Sequence, residues 1–166
     1  MLLAARRLIR ALCACLLLKL DMDSNDRQNY ITKLDEELLV GGVMLSEWST
    51  FLIRDADEAF CNRADLATIL VSQAAIESHL RYEYVDNPAT AKLGFYALIE
   101  QSPLSPSLKA DMHKLRKYRN KWVHVNDPSE DTDLLERPEY YEKELEEMAL
   151  LAIRVLREVI YQEQWL

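Results

Sequence analysis

Arg119, Asn120 and His124 stand close together in the stretch LRKYRNKWVHVND, which runs from Leu115 to Asp127. Imidazole titrates near neutral pH, so a histidine can take a proton from a ribose 2′-hydroxyl or return one to a departing 5′-oxygen. The rigid donor fork of an arginine suits the extra negative charge that gathers around phosphorus in the transition state. An asparagine one turn before the histidine can orient the imidazole or the phosphate. These residue types suit RNA cleavage without a metal, and no cofactor is expected. Arg116, Lys117 and Lys121, on the same segment, are the expected substrate-binding residues.

A helix has to position this set. At 3.6 residues per turn Met112, Leu115 and Trp122 project within about 40° of Leu108 and form the expected buried stripe. Arg119 falls in the middle of that stripe at about 20°, whereas Asn120 lies at about 120° and His124 at about 160°. A guanidinium is rarely buried without an anion, because stripping its water costs several kcal/mol. Glu77 lies inside another apolar stripe (Leu66, Ile69, Leu70, Gln73, Ile76, Leu80) and is the natural partner. Two readings stay open: an Arg119–Glu77 ion pair that fixes helix register, or an arginine held for a ligand. About 140° separates Arg119 from His124 on an ideal helix. They can share a ligand only if the helix distorts or ends there, or if two copies meet around a two-fold axis. The lone histidines His79 and His113 are read as surface residues.

At 166 residues and 49% hydrophobic content the chain is long enough for one domain with a sizeable core. Three glycines and five prolines in a sequence rich in Leu, Ala, Glu, Lys and Arg favour long helices. The expected fold is all-α, an up-and-down bundle of about five helices in a single domain. Helices are expected over Asp26–Val40, Val43–Phe60 with Met44, Trp48, Phe51 and Leu52 on one side, about Asn62 or Ala64 to Val85, and Lys92–Gln101. The motif helix follows SPLSPS, and a final helix over Glu139–Gln164 buries Tyr141, Leu145, Met148, Ala152, Val155, Leu156 and Val159. Gly41-Gly42 either separates the first two helices or kinks one long helix, and VNDPSEDTDLLERP reads as a loop.

A net charge of −8 argues against a surface that attracts nucleic acid everywhere. A local basic face survives: from Leu108 to His124 there are six basic residues and one acidic one. Cys13, Cys15 and Cys61 lack metal-ligand spacing, and a reduced, cytoplasmic protein is expected. Residues 1–25 form an N-terminal extension before a domain over 26–166. Its run MLLAARRLIRALCACLLLKL is too short for a stable membrane span and lacks a secretory cleavage site. A start at Met22 is the preferred reading, ahead of an amphipathic surface helix and then a targeting segment.

The segment Arg119-Asn120-Lys121-Trp122-Val123-His124 resembles the motif of the HEPN superfamily (higher eukaryotes and prokaryotes nucleotide-binding domains): arginine, a polar residue that is often asparagine, three further residues, then histidine. The setting is similar too, with LRKYRNKWVHV near a helix end and an upstream helix like SQAAIESHLRYEY. The resemblance runs from about Asp26 to the C-terminus. It implies a helical bundle that dimerises through the motif helices, in a family with many metal-independent endoribonucleases of toxin–antitoxin, phage-defence or RNA-processing systems. Carried over by position, Arg119 and His124 would be the catalytic pair, Asn120 the polar member and Glu77 a supporting residue. The products implied are a 2′,3′-cyclic phosphate and a 5′-hydroxyl. Members paired with a nucleotidyltransferase antitoxin often carry tyrosine two residues after the histidine; Asn126 stands there, which counts against that mode of neutralisation. The expected partners are a second copy, an RNA substrate and a protein antitoxin or regulator. The alternative is a non-catalytic module that binds nucleotide, RNA or a protein.

Overall fold

The computed structural model describes residues 22–84, 92–124 and 132–165. The N-terminal segment with Cys13 and Cys15, most of the acidic stretch after His124, and Asn126 lie outside them. Seven α-helices form the described structure, which is all-α: α1 (Ser24–Leu38), α2 (Glu47–Cys61), α3 (Asp65–Tyr84), α4 (Phe95–Gln101), α5 (Pro106–Val123), α6 (Thr132–Glu136) and α7 (Pro138–Ile160).

Local chemistry sets the boundaries. Asp23, Ser46 and Ser105 each accept a backbone N–H from the first turn of α1, α2 and α5, satisfying a donor that the helix itself leaves open. Pro106 follows its serine at the first position of α5, where a missing N–H costs nothing. Between α2 and α3 the chain turns through Arg63, whose φ of 60° places it in the left-handed region.

Seven helices replace the expected five or so, for two reasons. Gly41-Gly42 separates α1 from α2 outright, because the C-terminal strand-like end lies against it. Gly42 N–H donates to Trp165 O at 2.8 Å and Trp165 N–H returns to Gly42 O at 3.0 Å. A Cβ at Gly41 would collide with the Trp165 carbonyl, and one at Gly42 with its indole. Second, the stretch read as a loop contains α6. The last helix is also shorter than expected: it stops at Ile160, and Gln164 folds back to accept from Val40 and Gly41 N–H and donate to Leu38 O.

α3 is the central helix, packed between α2 and α7 and touched by α4 and α5. Its buried residues therefore spread over more than one stripe and include Thr68, Ser72, Gln73 and His79 beside Ile69, Ile76 and Leu80. The expected face of α7 is buried from Met148 to Val159. The apolar side of α2 is not: Met44, Phe51 and Trp48 are exposed, Trp48 by 77%, while Ser49, Ala56 and Phe60 face the core.

Two buried arginines tie the bundle together. Arg27 of α1, 0% exposed, forks onto Asp65 at the start of α3, donates to Glu146 of α7 at 3.1 Å and to Phe60 O at 3.0 Å, and lies 4.8 Å from the Phe60 ring centre. Burial works against its charge, and the carboxylates of Asp65 and Glu146 more than offset that and raise its pKa. Arg157 of α7 repeats the device with Asp35 and Asp57, each at 2.8 Å.

His79 is a core residue, 2% exposed, and the surface assignment fails because α3 is covered on more than one side. Burial pushes its pKa down to about 4 from 6.5, so it folds neutral. The unfolded chain binds the proton first as the pH falls. The associated stability is therefore full above about pH 6.5 and is lost on the way down to about 4, a difference on the order of 3 kcal/mol. Urea titrations at neutral and mildly acid pH should show that His79→Leu loses less stability on acidification than wild type. Equal losses would remove His79 as the cause.

Candidate functional site

Helix α5 carries the motif. Leu108, Met112 and Leu115 are buried against the bundle, as the stripe requires, but Trp122 and Arg119 at its end are only half-buried. The helix runs antiparallel to α7, with Lys121 Nζ 3.4 Å from Glu144 Oε2. Toward its C-terminus the stripe emerges from the core, which is why an arginine can occupy it.

The expected Arg119–Glu77 pair is not formed. Glu77 Oε1 meets Arg81 Nη2 at 2.6 Å, one turn along its own helix, and Arg81 Nη2 also donates to Leu93 O at 2.8 Å. An i,i+4 partner on α3 is in reach without any interhelical geometry having to be right, so it takes the carboxylate. Arg119 instead donates from Nη1 to Oδ1 of Asn120 at 3.2 Å. The structure thus joins Arg119 to Asn120 and leaves Glu77 with Arg81.

His124 is the residue at which α5 ends. Its backbone has φ −118° and ψ 84°, outside the helical region, while its N–H still donates to Asn120 O at 3.0 Å. The imidazole is exposed. Because the helix stops here, the φ of −118° turns the His124 side chain away from its ideal helical projection, which relaxes in part the 140° that separates arginine from histidine in an ideal helix. Asn120 sits at the junction: its backbone carbonyl takes the His124 N–H, its side-chain oxygen takes Arg119, and its NH2 group faces no described acceptor. Tyr118 immediately precedes the arginine; burial pushes its phenol up to about 12, so it stays protonated at neutral pH.

The three expected substrate-binding residues differ in availability. Lys117 is exposed. Arg116 lies with its guanidinium carbon 5.3 Å from the centre of the Tyr96 ring, and Lys121, besides Glu144, approaches the ring of Tyr141 to 5.3 Å. Such exposed ion pairs are weak and leave the lysine free to exchange partners.

Composition alone missed a neighbouring cluster where α4 lies across α5. His113 Nε2 sits 2.7 Å from Glu100 Oε1, its ring centre lies 5.0 Å from that of Tyr96, and Lys109 Nζ donates to Glu100 O at 2.7 Å. His113 is therefore a packed, partnered residue rather than a decorative one. The spacing of Lys109, His113 and Arg116 along one side of α5 was visible in the sequence; the aromatic and carboxylate from α4 were not.

A cavity of about 490 Å³ lies elsewhere, beside the Arg27 cluster, and is lined chiefly by Arg63, Asp65, Glu139, Glu142, Lys143 and Glu146. Its carboxylates would repel a phosphate backbone, so the exposed end of α5 is the better candidate for an anionic ligand. No helix among the described residues is long and apolar enough to cross a membrane. Compared with known proteins, the chain matches no family model, no curated protein and no solved structure.

Proposed function

We propose that this protein is a metal-independent endoribonuclease of the HEPN type, acting as a homodimer whose two α5 ends meet in one cleft. The observation that carries the reading is the termination of α5 at His124. An exposed imidazole at a helix end and an arginine one turn and a half earlier, bonded to the intervening asparagine, can converge on one phosphate where a continuous helix would hold them apart. In the proposed reaction His124 takes the proton of the ribose 2′-hydroxyl as that oxygen bonds to phosphorus, and an imidazole of the dimer cleft returns a proton to the 5′-oxygen as the P–O5′ bond breaks. Arg119 stabilises the phosphorane charge, and Asn120 directs its free NH2 group at the phosphate. Lys117 and Arg116 supply the basic approach on an otherwise acidic molecule. A role in a toxin–antitoxin or phage-defence system, under a protein antitoxin or regulator, follows from the family resemblance alone.

The test is an RNA digest with EDTA-treated protein. The expected outcome is cleavage that persists in EDTA and leaves 2′,3′-cyclic phosphate and 5′-hydroxyl ends; intact RNA, or cleavage that needs added metal, sinks the proposal. One observation favours the alternative, a module that binds RNA, nucleotide or protein without turnover. Among the described residues no side chain hydrogen-bonds the imidazole of His124, and a general base usually has an orienting partner. Tight RNA binding with no cleavage would select that reading.

A further inference from the structure

Exposed aromatic side chains occur on several surfaces of this protein, and their surroundings differ. On α2, Trp48 and Phe51 lie between Glu47 and Asp55, and the cation at the Phe51 ring, Arg54 at 4.7 Å from its centre, is paired with Asp55 at 2.7 Å. On α4, Tyr96 is 56% exposed and lies against Arg116 and His113, with Glu100 one turn along held by His113 and Lys109. In a chain of net charge −8, this is an aromatic surface set in a basic neighbourhood.

The ring is also held in place. Leu98 and Ile99 bury the inner side of α4, and Glu100 is fixed to α5 by the His113 side chain and by Lys109 at its carbonyl. Arg116 and His113 both touch the ring, yet more than half of the residue stays open to solvent. Two polar atoms beneath it, Arg116 Nε and His113 Nδ1, are buried without a hydrogen bond, so this packing is not there to satisfy them.

Position along α5 links the ring to the candidate site. His113, Arg116 and Asn120 fall on one side of the helix at 100° per residue, and Asn120 and His124 lie about 6 and 12 Å beyond Arg116 along the axis. An extended strand covers that distance with one or two nucleotides. Single-strand binding surfaces combine an aromatic face for a base with cations that follow the backbone, and both are present here in that order.

We infer that Tyr96, backed by Arg116, is the seat on which one base of a single-stranded RNA stacks, next to the phosphate that Arg119 and His124 would engage. The inference rests on the ribonuclease reading for the position of that phosphate. The seat takes a base of any identity, because stacking uses the π-face that all bases share.

The experiment titrates the full-length protein against a short fluorescein-labelled RNA, 2′-O-methylated throughout so that it cannot be cut, and reads anisotropy. Tyr96→Phe keeps the ring and should bind within about twofold of wild type, whereas Tyr96→Leu should bind about tenfold more weakly. Phe51→Leu on α2 should leave the affinity unchanged. A set of RNAs with one abasic position each separates stacking from packing: wild type should lose affinity at one position, and there Tyr96→Leu should cost nothing more. Tyr96→Leu binding like wild type, equal losses on intact and abasic strands, or wild type indifferent to every abasic position overturns the inference. The abasic series on wild type decides the matter even where Tyr96→Leu fails to fold. A seat that behaves as stated in a protein that does not cut unmodified RNA removes the nuclease and keeps the seat. Cutting with a KM that Tyr96→Leu leaves unchanged keeps the nuclease and removes the seat.

Discussion

Arg27→Ala is expected to lower the unfolding free energy by about 3 to 5 kcal/mol, read from urea denaturation near neutral pH. Arg27 reaches three other helices from α1: the fork holds Asp65 at the start of α3, one arm reaches Glu146 on α7, and the Phe60 carbonyl near the end of α2 takes a further bond. Truncation leaves a cavity and also strips Asp65 and Glu146, both mostly buried, of the cation they share, and the second effect is the larger. For a domain whose whole stability is about 5 to 15 kcal/mol, such a loss brings unfolding within reach at physiological temperature. Arg27→Met fills part of the volume without the charge, so the difference between the two variants separates packing from electrostatics. A loss below about 1 kcal/mol for Arg27→Ala would mean that the cluster is open to water and contributes little.

The second large effect belongs to α5. His124→Ala should lower RNA cleavage by about 10²- to 10⁴-fold and Arg119→Ala by about 10²- to 10³-fold. Both should leave the fold nearly intact. His124 is exposed, and Arg119 makes one hydrogen bond, to its chain neighbour Asn120, so the expected stability cost is about 1 kcal/mol or less. The contrast with Arg27 is direct: one arginine is built into the bundle, and the other stands at its edge. A steep loss of stability in Arg119→Ala would restore the view that it is a structural ion-pair residue. Cleavage that survives in His124→Ala would remove the histidine from the chemistry.

The helices with long apolar repeats could be read directly. The face of α7 and the serine-proline start of α5 follow from spacing and capping, both of which are local. What escaped depends on residues far apart in the chain. Arg27 meets Glu146 across 119 residues and Arg157 meets Asp57 across 100, and no periodicity announces such pairings. Glu77 is the instructive failure. Its projection into an apolar stripe points to a partner on another helix, yet Arg81 stands four residues away on the same one. A projection gives the direction of a side chain, and a long flexible acid near a helix surface can turn from it. The exposed Trp48 fails for a different reason: an apolar stripe marks a face that could be covered, not which neighbour covers it. Of the site, residue types, the helix and its end near His124 were legible, whereas the Arg119–Asn120 bond and the ring of Tyr96 beside Arg116 needed coordinates.

The three tryptophans are distributed unevenly, and this gives the molecule a built-in optical contrast. Trp48 and Trp165 are open to solvent, while Trp122 is half-buried, 6.4 Å from the Tyr118 ring and two residues before His124. A water-soluble quencher extinguishes the first two in preference to the third. The residual emission then comes mainly from the edge of the candidate site, where an arriving ligand can be followed without any label.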